Sequence, residues 1–246
     1  MAVIYKIGGA PLEDKAYIAG LIAHLKGLPE PPIIVHGGGK AIARLQTAFG
    51  ITPQQIGGLR VTDDQTMELV AMALVGQANV NLVAALVNAG IAAQGFSGVD
   101  RGLLRSTKLT HPEGDLGRVG RITQVQVEVL KQALSSDITP VIAPIGLADD
   151  DGLHNINADQ AAGAIAAAMN VNQVIFLTDV QGVLQDGAIL SNLTRESAQA
   201  MITNGVASGG MAVKLKAALD ALSAGVTYAL ITNLDGLNAG IGTTIY

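Results

Sequence analysis

The chain has 246 residues, a formal net charge of −5 and no cysteine. That length suits one large α/β unit or two closely joined lobes. The charge balance offers no basic footprint for nucleic acid, and the missing cysteines exclude a disulfide framework, a thiolate nucleophile and a Cys-based zinc site.

Residues 3–7 read as a buried strand ended by Gly8-Gly9-Ala10-Pro11, and residues 13–25 have helical periodicity. Residues 32–35 form a second apolar strand that runs into His36-Gly37-Gly38-Gly39, followed by a helix over 40–48. The pattern is strand, glycine turn, helix, twice over. Residues 55–62 suit a short extended or hairpin segment. Asp64 is the expected N-cap of a long helix over 65–88, interrupted near Gly76. Residues 91–95 fit a strand. The glycines at 114, 117 and 120 within 103–127 suggest a β-hairpin excursion. A helix over 129–135 and a strand over 139–143 follow. Residues 157–169 make an Ala-rich helix, 174–177 a strand, 196–203 and 211–223 helices, 227–231 a last central strand and 242–245 an edge strand. Alternating strands and helices predict a doubly wound, mostly parallel sheet with helices on both faces. A core of Ala, Val, Leu and Ile with 3% aromatic residues fits that class. A lobe boundary is expected near 170–173, dividing the chain into 1–172 and 173–246.

In open α/β sheets, ligands bind beyond the carboxyl ends of the strands. Lys6-Ile7-Gly8-Gly9 places a cation and bare amides there, although a plain turn with a surface lysine would read the same. His36-Gly37-Gly38-Gly39 is a stronger signal, because a structural turn seldom needs three glycines in a row. His36 itself reads as a positioning residue rather than a catalyst, and its place inside the strand end favours a satisfied, half-buried histidine. Asn155-Ile156-Asn157-Ala158-Asp159-Gln160 opens the Ala-rich helix. Asn157 suits an N-cap and Asp159 a dipole-compensating acid; alternatively Asn155 holds a substrate carboxylate or amide and Asp159 orients nearby lysines. Gly209-Gly210-Met211-Ala212-Val213-Lys214 enters a helix with a lysine one turn in. Arg60, between apolar neighbours, is either a salt-bridged surface residue or a carboxylate clamp. The loop Thr178-Asp179-Val180-Gln181-Gly182-Val183-Leu184 follows a strand and suits an adenine and ribose site, although a plain strand-to-loop connection reads equally well from the pattern. Neither a Walker A motif nor a G-x-G-x-x-G fingerprint occurs, which argues against a dinucleotide oxidoreductase. His24, His36, His111 and His154 lack metal-site spacing, so no protein-held metal is expected. No apolar run reaches the roughly 18–20 residues that span a bilayer, and the N-terminus shows no leader pattern. The expectation is a cytoplasmic protein without membrane contact.

These segments, with Gly58-Leu59-Arg60-Val61-Thr62-Asp63 and Gly95-Phe96-Ser97-Gly98-Val99-Asp100 between them, occur in an order that resembles the amino-acid kinase family, in particular its branch acting on N-acetylglutamate. The resemblance runs through essentially the whole chain. It implies a three-layer αβα sandwich with a mostly parallel central sheet, an N-terminal lobe for N-acetyl-L-glutamate and dimerisation, and a C-terminal lobe for ATP. It implies ATP-dependent phosphorylation of the acid's side-chain carboxylate, in arginine biosynthesis. Matched positions make Lys6 and Lys214 the transition-state stabilisers and Asp159 their organiser. Gly38, Gly39, Arg60 and Asn155 become substrate contacts. Gly8, Gly9, Asp179, Val180, Gln181, Gly182, Val183, Leu184, Val206, Ala207 and Ser208 become ATP contacts, with Mg²⁺ carried on the nucleotide. Arginine-inhibited members carry an extra N-terminal helix. With the first strand at about residue 3, a homodimer built on the helix at 65–88 and little arginine inhibition are expected. The rival readings are a sister kinase for carrier-linked aminoadipate in lysine synthesis and a non-catalytic nucleotide-binding regulator.

Overall fold

The computed structural model describes residues 3–149 and 152–246. The chain runs β1 (Ile4–Ile7), a 3-10 turn (Pro11–Glu13), α1 (Lys15–Lys26), β2 (Ile33–His36), α2 (Gly39–Ala48) and the hairpin β3 (Gln55–Ile56) with β4 (Leu59–Arg60). A helical rod follows: α3 (Asp64–Ala71), a π-helical segment (Met72–Asn79) and α4 (Val80–Asn88). Next come β5 (Ala93–Ser97), β6 (Leu104–Lys108), β7 (Gly120–Val125), α5 (Val127–Ser135), β8 (Thr139–Ala143), β9 (Ile145–Ala148), β10 (Leu153–Asn155) and α6 (Ala158–Ala168). The remainder is β11 (Gln173–Leu177), β12 (Leu184–Gln185), β13 (Ala188–Ile189), β14 (Asn192–Leu193), α7 (Arg195–Thr203), α8 (Gly209–Ser223), β15 (Tyr228–Thr232), α9 (Leu234–Ala239) and β16 (Thr243–Ile245).

Eight strands form one sheet in the order β14-β16-β15-β11-β1-β2-β8-β5. It is parallel except where β16 turns back against β15. The expected mostly parallel sheet between helical layers is what the chain builds. β11, β1 and β2 are neighbours running the same way, so the turns after Ile7, His36 and Leu177 emerge side by side.

Strand parity then decides which side chain meets which helix. Ile4, Ile33, Val35, Val174 and Phe176 face α5, α6, α7 and α8 in one apolar layer. Tyr5, Ile7, Ile34 and Leu177 face α1, α4 and α9 in the other. Lys6 therefore lies on the α6 side and His36 on the α4 side.

Several elements differ from the sequence reading. The N-cap of α3 is Asp63, whose carboxylate accepts from the Thr66 amide at 2.7 Å. Asp64 instead pairs with Arg118 across 2.6 Å. The interruption near Gly76 is a change of helical type rather than a break. β5 begins and ends two residues later than expected. β9 and β10 differ from the expectation because Pro144 and the acidic sequence before Leu153 interrupt the pattern of two short strands. They join β6 and β7 in a second sheet, β10-β9-β6-β7, which puts Asn155 at a strand end rather than at the helix start. α9 was also missed. β16 is not an edge strand, since β14 pairs outside it.

The rod Asp64–Asn88 has a mean hydropathy of 1.8 in its most apolar stretch. By length and composition it passes for a membrane span, contrary to expectation, because Val, Leu and Ala dilute Gln77, Asn79 and Asn81. Here it lies across the sheet, with Leu74, Leu82 and Leu86 buried.

Candidate active site

The two glycine turns touch. A side chain on Gly9 would place its Cβ 2.5 Å from the Gly38 backbone, so only glycine allows this approach. Beyond the contact lies a cavity of about 250 Å³ lined by Lys6, Gly9, Gly38, Gly39, Arg60, Asn155 and Asp159, together with Gly37 and Leu74. Gly8 sits one residue back in its turn.

Lys6 and Asp159, far apart in the chain, form an ion pair, Nζ to Oδ1, at 2.9 Å. Both are about nine-tenths buried. Asp159 reaches this place because Asn157 caps α6 as expected, accepting from the amides of Asp159 at 2.8 Å and Gln160 at 3.2 Å. The cap sets the first helical turn, and the turn aims the carboxylate at β1.

Arg60, half-buried on β4, donates through Nη1 to Gln46 Oε1 and through Nη2 to the Gly39 carbonyl at 3.2 Å. Burial lowers its pKa, yet a guanidinium remains charged in proteins. Asn155 Nδ2 donates to Thr62 Oγ1 at 3.1 Å. Gln46 and Thr62, both buried, were not singled out from sequence. Gln46 had a signal: it sits four residues after Ile42, on the buried face of α2.

On the other side of β1, Asp179 follows β11. A hydrogen bond from the Thr178 hydroxyl at 2.8 Å, its own backbone N–H and the nearby Lys214 charge hold its carboxyl below the usual carboxylate range, against slight burial. Lys214 is thus on the same sheet end as Lys6. Its ammonium lies 3.4 Å from the Gly210 carbonyl, and it does not line the cavity of Lys6. Of the loop residues, Val183 is in the core and its amide donates to Thr243 Oγ1 at 2.8 Å. Gly182 packs tightly on the same Thr243. Ala207 is buried, whereas Leu184 and Val206 are more than half exposed. Val180 and Gln181 lie between Asp179 and Gly182 in the loop, and Ser208 precedes α8.

Among the described residues, no side chain caps α2, α5 or α8, while Asp14, Asp63, Asn157, Thr194 and Asn233 cap α1, α3, α6, α7 and α9. The glycine-led helices α2 and α8 start at the strand-end loops, where first-turn amides suit an anion, although in α8 the Met211 amide is bonded to the Ser208 carbonyl at 3.2 Å. Amides, two lysines and an arginine gathered at one sheet end are suited to phosphoryl transfer.

The chain belongs to the amino acid kinase family, whose sequence pattern it matches over residues 1–233. It is 49% identical over 243 residues to a protein named acetylglutamate kinase from Roseiflexus sp. (strain RS-1), covering 99% of this chain and 92% of that one. To the acetylglutamate kinase of Methanopyrus kandleri it is 40% identical, covering 98% and 99%. Among solved structures, smu.665 from Streptococcus mutans UA159 superposes with a TM-score of 0.85 at 30% identity, covering 99% and 98%.

Proposed function

We propose that this chain transfers the γ-phosphoryl group of ATP to the side-chain carboxylate of N-acetyl-L-glutamate, giving N-acetyl-L-glutamyl 5-phosphate on the route to arginine. The observation that carries the reading is the buried Lys6–Asp159 pair facing Gly38, Gly39, Arg60 and Asn155 across one cavity. The full-length likeness to proteins named acetylglutamate kinase supports the choice of acid.

The carboxylate is already a nucleophile. Its oxygen attacks the γ-phosphorus, the bond from that phosphorus to the ADP oxygen breaks, and no proton has to move. The protein's task is alignment and neutralisation of charge on the three equatorial oxygens. Lys6, held by Asp159, works from the acid side and Lys214 from the nucleotide side. The amides of Gly38 and Gly39 and the start of α2 face the phosphoryl group, and Arg60 and Asn155 hold the acid.

The nucleotide is assigned to Gly8, Gly9, Asp179 to Leu184 and Val206 to Ser208. The exposed Leu184 and Val206 offer apolar surface to a base, and Val183 and Ala207 support the loops from the core. Mg²⁺ is assigned to the nucleotide's phosphates and water, as is usual for that ion in phosphoryl transfer. The lobes divide at 172/173, although β11 of the second pairs with β1 of the first in one sheet.

A homodimer is part of the reading. Met72, Val80 and Val87 are exposed on the rod, beside a groove shared with Phe96 of the edge strand β5. A second copy would cover both the apolar stripe and the open edge. Light scattering at micromolar concentration is expected to give twice the chain mass; a monomer mass would refute it. The compartment proposed is the cytoplasm, where ATP is available.

Hydroxylamine trapping tests the activity. With ATP and Mg²⁺, N-acetyl-L-glutamate should yield a hydroxamate. A yield only with aminoadipate derivatives or glutamate reassigns the acid, and no yield with any carboxylate removes the kinase reading.

A further inference from the structure

The buried stripe of the rod changes step. Met67, Val70 and Leu74 follow α-helical spacing, as do Asn79, Leu82 and Leu86, and all six are buried. Between Leu74 and Asn79 the step is five residues. That is the π-helical repeat, and the segment between them is π-helical. In an unbroken α-helix Ala78 would face the sheet and Asn79 would turn about 100° away. The π segment therefore brings an amide, where an apolar residue would otherwise sit, onto the strands that lead to the glycine turn.

Asn79 Nδ2 donates to the Val141 carbonyl at 2.9 Å and to His36 Nε2 at 3.0 Å. His36 Nδ1 lies 3.0 Å from the Gly37 carbonyl. A carbonyl only accepts, so Nδ1 carries the proton. Burial pulls the pKa of His36 down to about 4, so the ring is neutral and Nε2 is an acceptor. The amide orientation of Asn79 follows, since both of its partners accept. Gly95 leaves the pit for this amide: a Cβ there would come within 2.1 Å of Asn79 Oδ1. Leu74, from the same segment, lies against Gly38 and would meet a Cβ on it at 2.5 Å.

We propose that Asn79 is a positioning residue: by fixing the His36 ring it fixes the Gly37 carbonyl, and with it the direction in which the Gly38 and Gly39 amides face the cavity. The inference rests on the reading of that cavity as a carboxylate-kinase site. Asn79 touches no reacting atom and acts through His36. An anion cradle made of bare glycine amides has no side chains of its own to hold its shape. The Asn79–His36–Gly37 chain supplies that rigidity from the rod.

The test is Asn79→Leu, which keeps the volume and removes the donor. It is read on whichever carboxylate the wild-type protein phosphorylates, so reassignment of the acid does not touch it. The expected result is a kcat lowered about 10- to 100-fold with both KM values within about threefold, as for a displaced transition-state contact. Nitrogen NMR of His36 provides a readout independent of turnover. The wild type should show the neutral Nδ1–H tautomer, and the variant a loss of that single pattern. If Asn79→Leu does not fold, Gly95→Ala carries the test, because its methyl displaces the amide without deleting it; the same kcat-selective loss is expected. A kcat within about threefold of wild type in the folded variant, a change confined to KM, or an Nε2–H tautomer in the wild type each overturns the proposal.

Discussion

Lys6→Ala is expected to lower kcat by at least about 10²-fold, or roughly 2.7 kcal/mol of transition-state stabilisation. It should also destabilise the fold by about 3 kcal/mol. The two effects have different origins. The first is loss of a cation aimed at the phosphoryl oxygens. The second arises because Asp159, at 2.9 Å from the ammonium and nine-tenths buried, is left as a charge without its partner. The double variant Lys6→Ala/Asp159→Asn separates them. It should recover most of the stability in urea unfolding and none of the turnover. If turnover returns with stability, Lys6 serves the fold alone. Lys214→Ala gives the contrast: its ammonium makes a 3.4 Å contact to the Gly210 carbonyl and leaves no buried charge behind, so a similar loss of kcat should come with an almost unchanged unfolding midpoint. Full activity in that variant would remove Lys214 from the mechanism.

Gly9→Ala is expected to cost about as much activity through backbone alone. The added methyl would stand 2.5 Å from the Cα and the amide nitrogen of Gly38 and 2.9 Å from the carbonyl carbon of Gly37. These are backbone atoms of a turn that the Gly37 amide ties back to the Ile7 carbonyl at 2.8 Å, so no side chain can swing aside. The glycine turns must separate, and a shift of about 1 Å at the reacting centre costs on the order of 10²-fold in rate. Gly39→Ala is the control, because a Cβ there meets nothing within 4 Å. It should fold with wild-type stability. Equal activity in Gly9→Ala and wild type would mean that the close approach of the turns has no part in catalysis.

Much of the candidate site was legible in the sequence. Glycines directly after apolar strands, at residues 8–9 and 37–39, suit close backbone approach, in a parallel sheet such turns share one end, and the two turns do meet there. Asn157 read as a cap is a cap. Asp63 was missed in favour of Asp64 because adjacent acids fit the same local rule and only the helix geometry chooses between them. The strands β9 and β10 were missed because three- and four-residue segments around a proline carry too few positions for a period to register.

The sequence by itself determined the class of architecture, the order of its parts and the kind of chemistry, because these depend on local periodicity and on residue types that have few other uses. Only the tertiary structure decided which partners meet: Lys6 with Asp159, Arg60 with Gln46, His36 with Asn79. Those pairings depend on strand parity, on the order in which strands enter the sheet, and on one extra residue in the winding of a helix. Each joins segments 14 to 153 residues apart in the chain, and no pattern within a single segment encodes that distance.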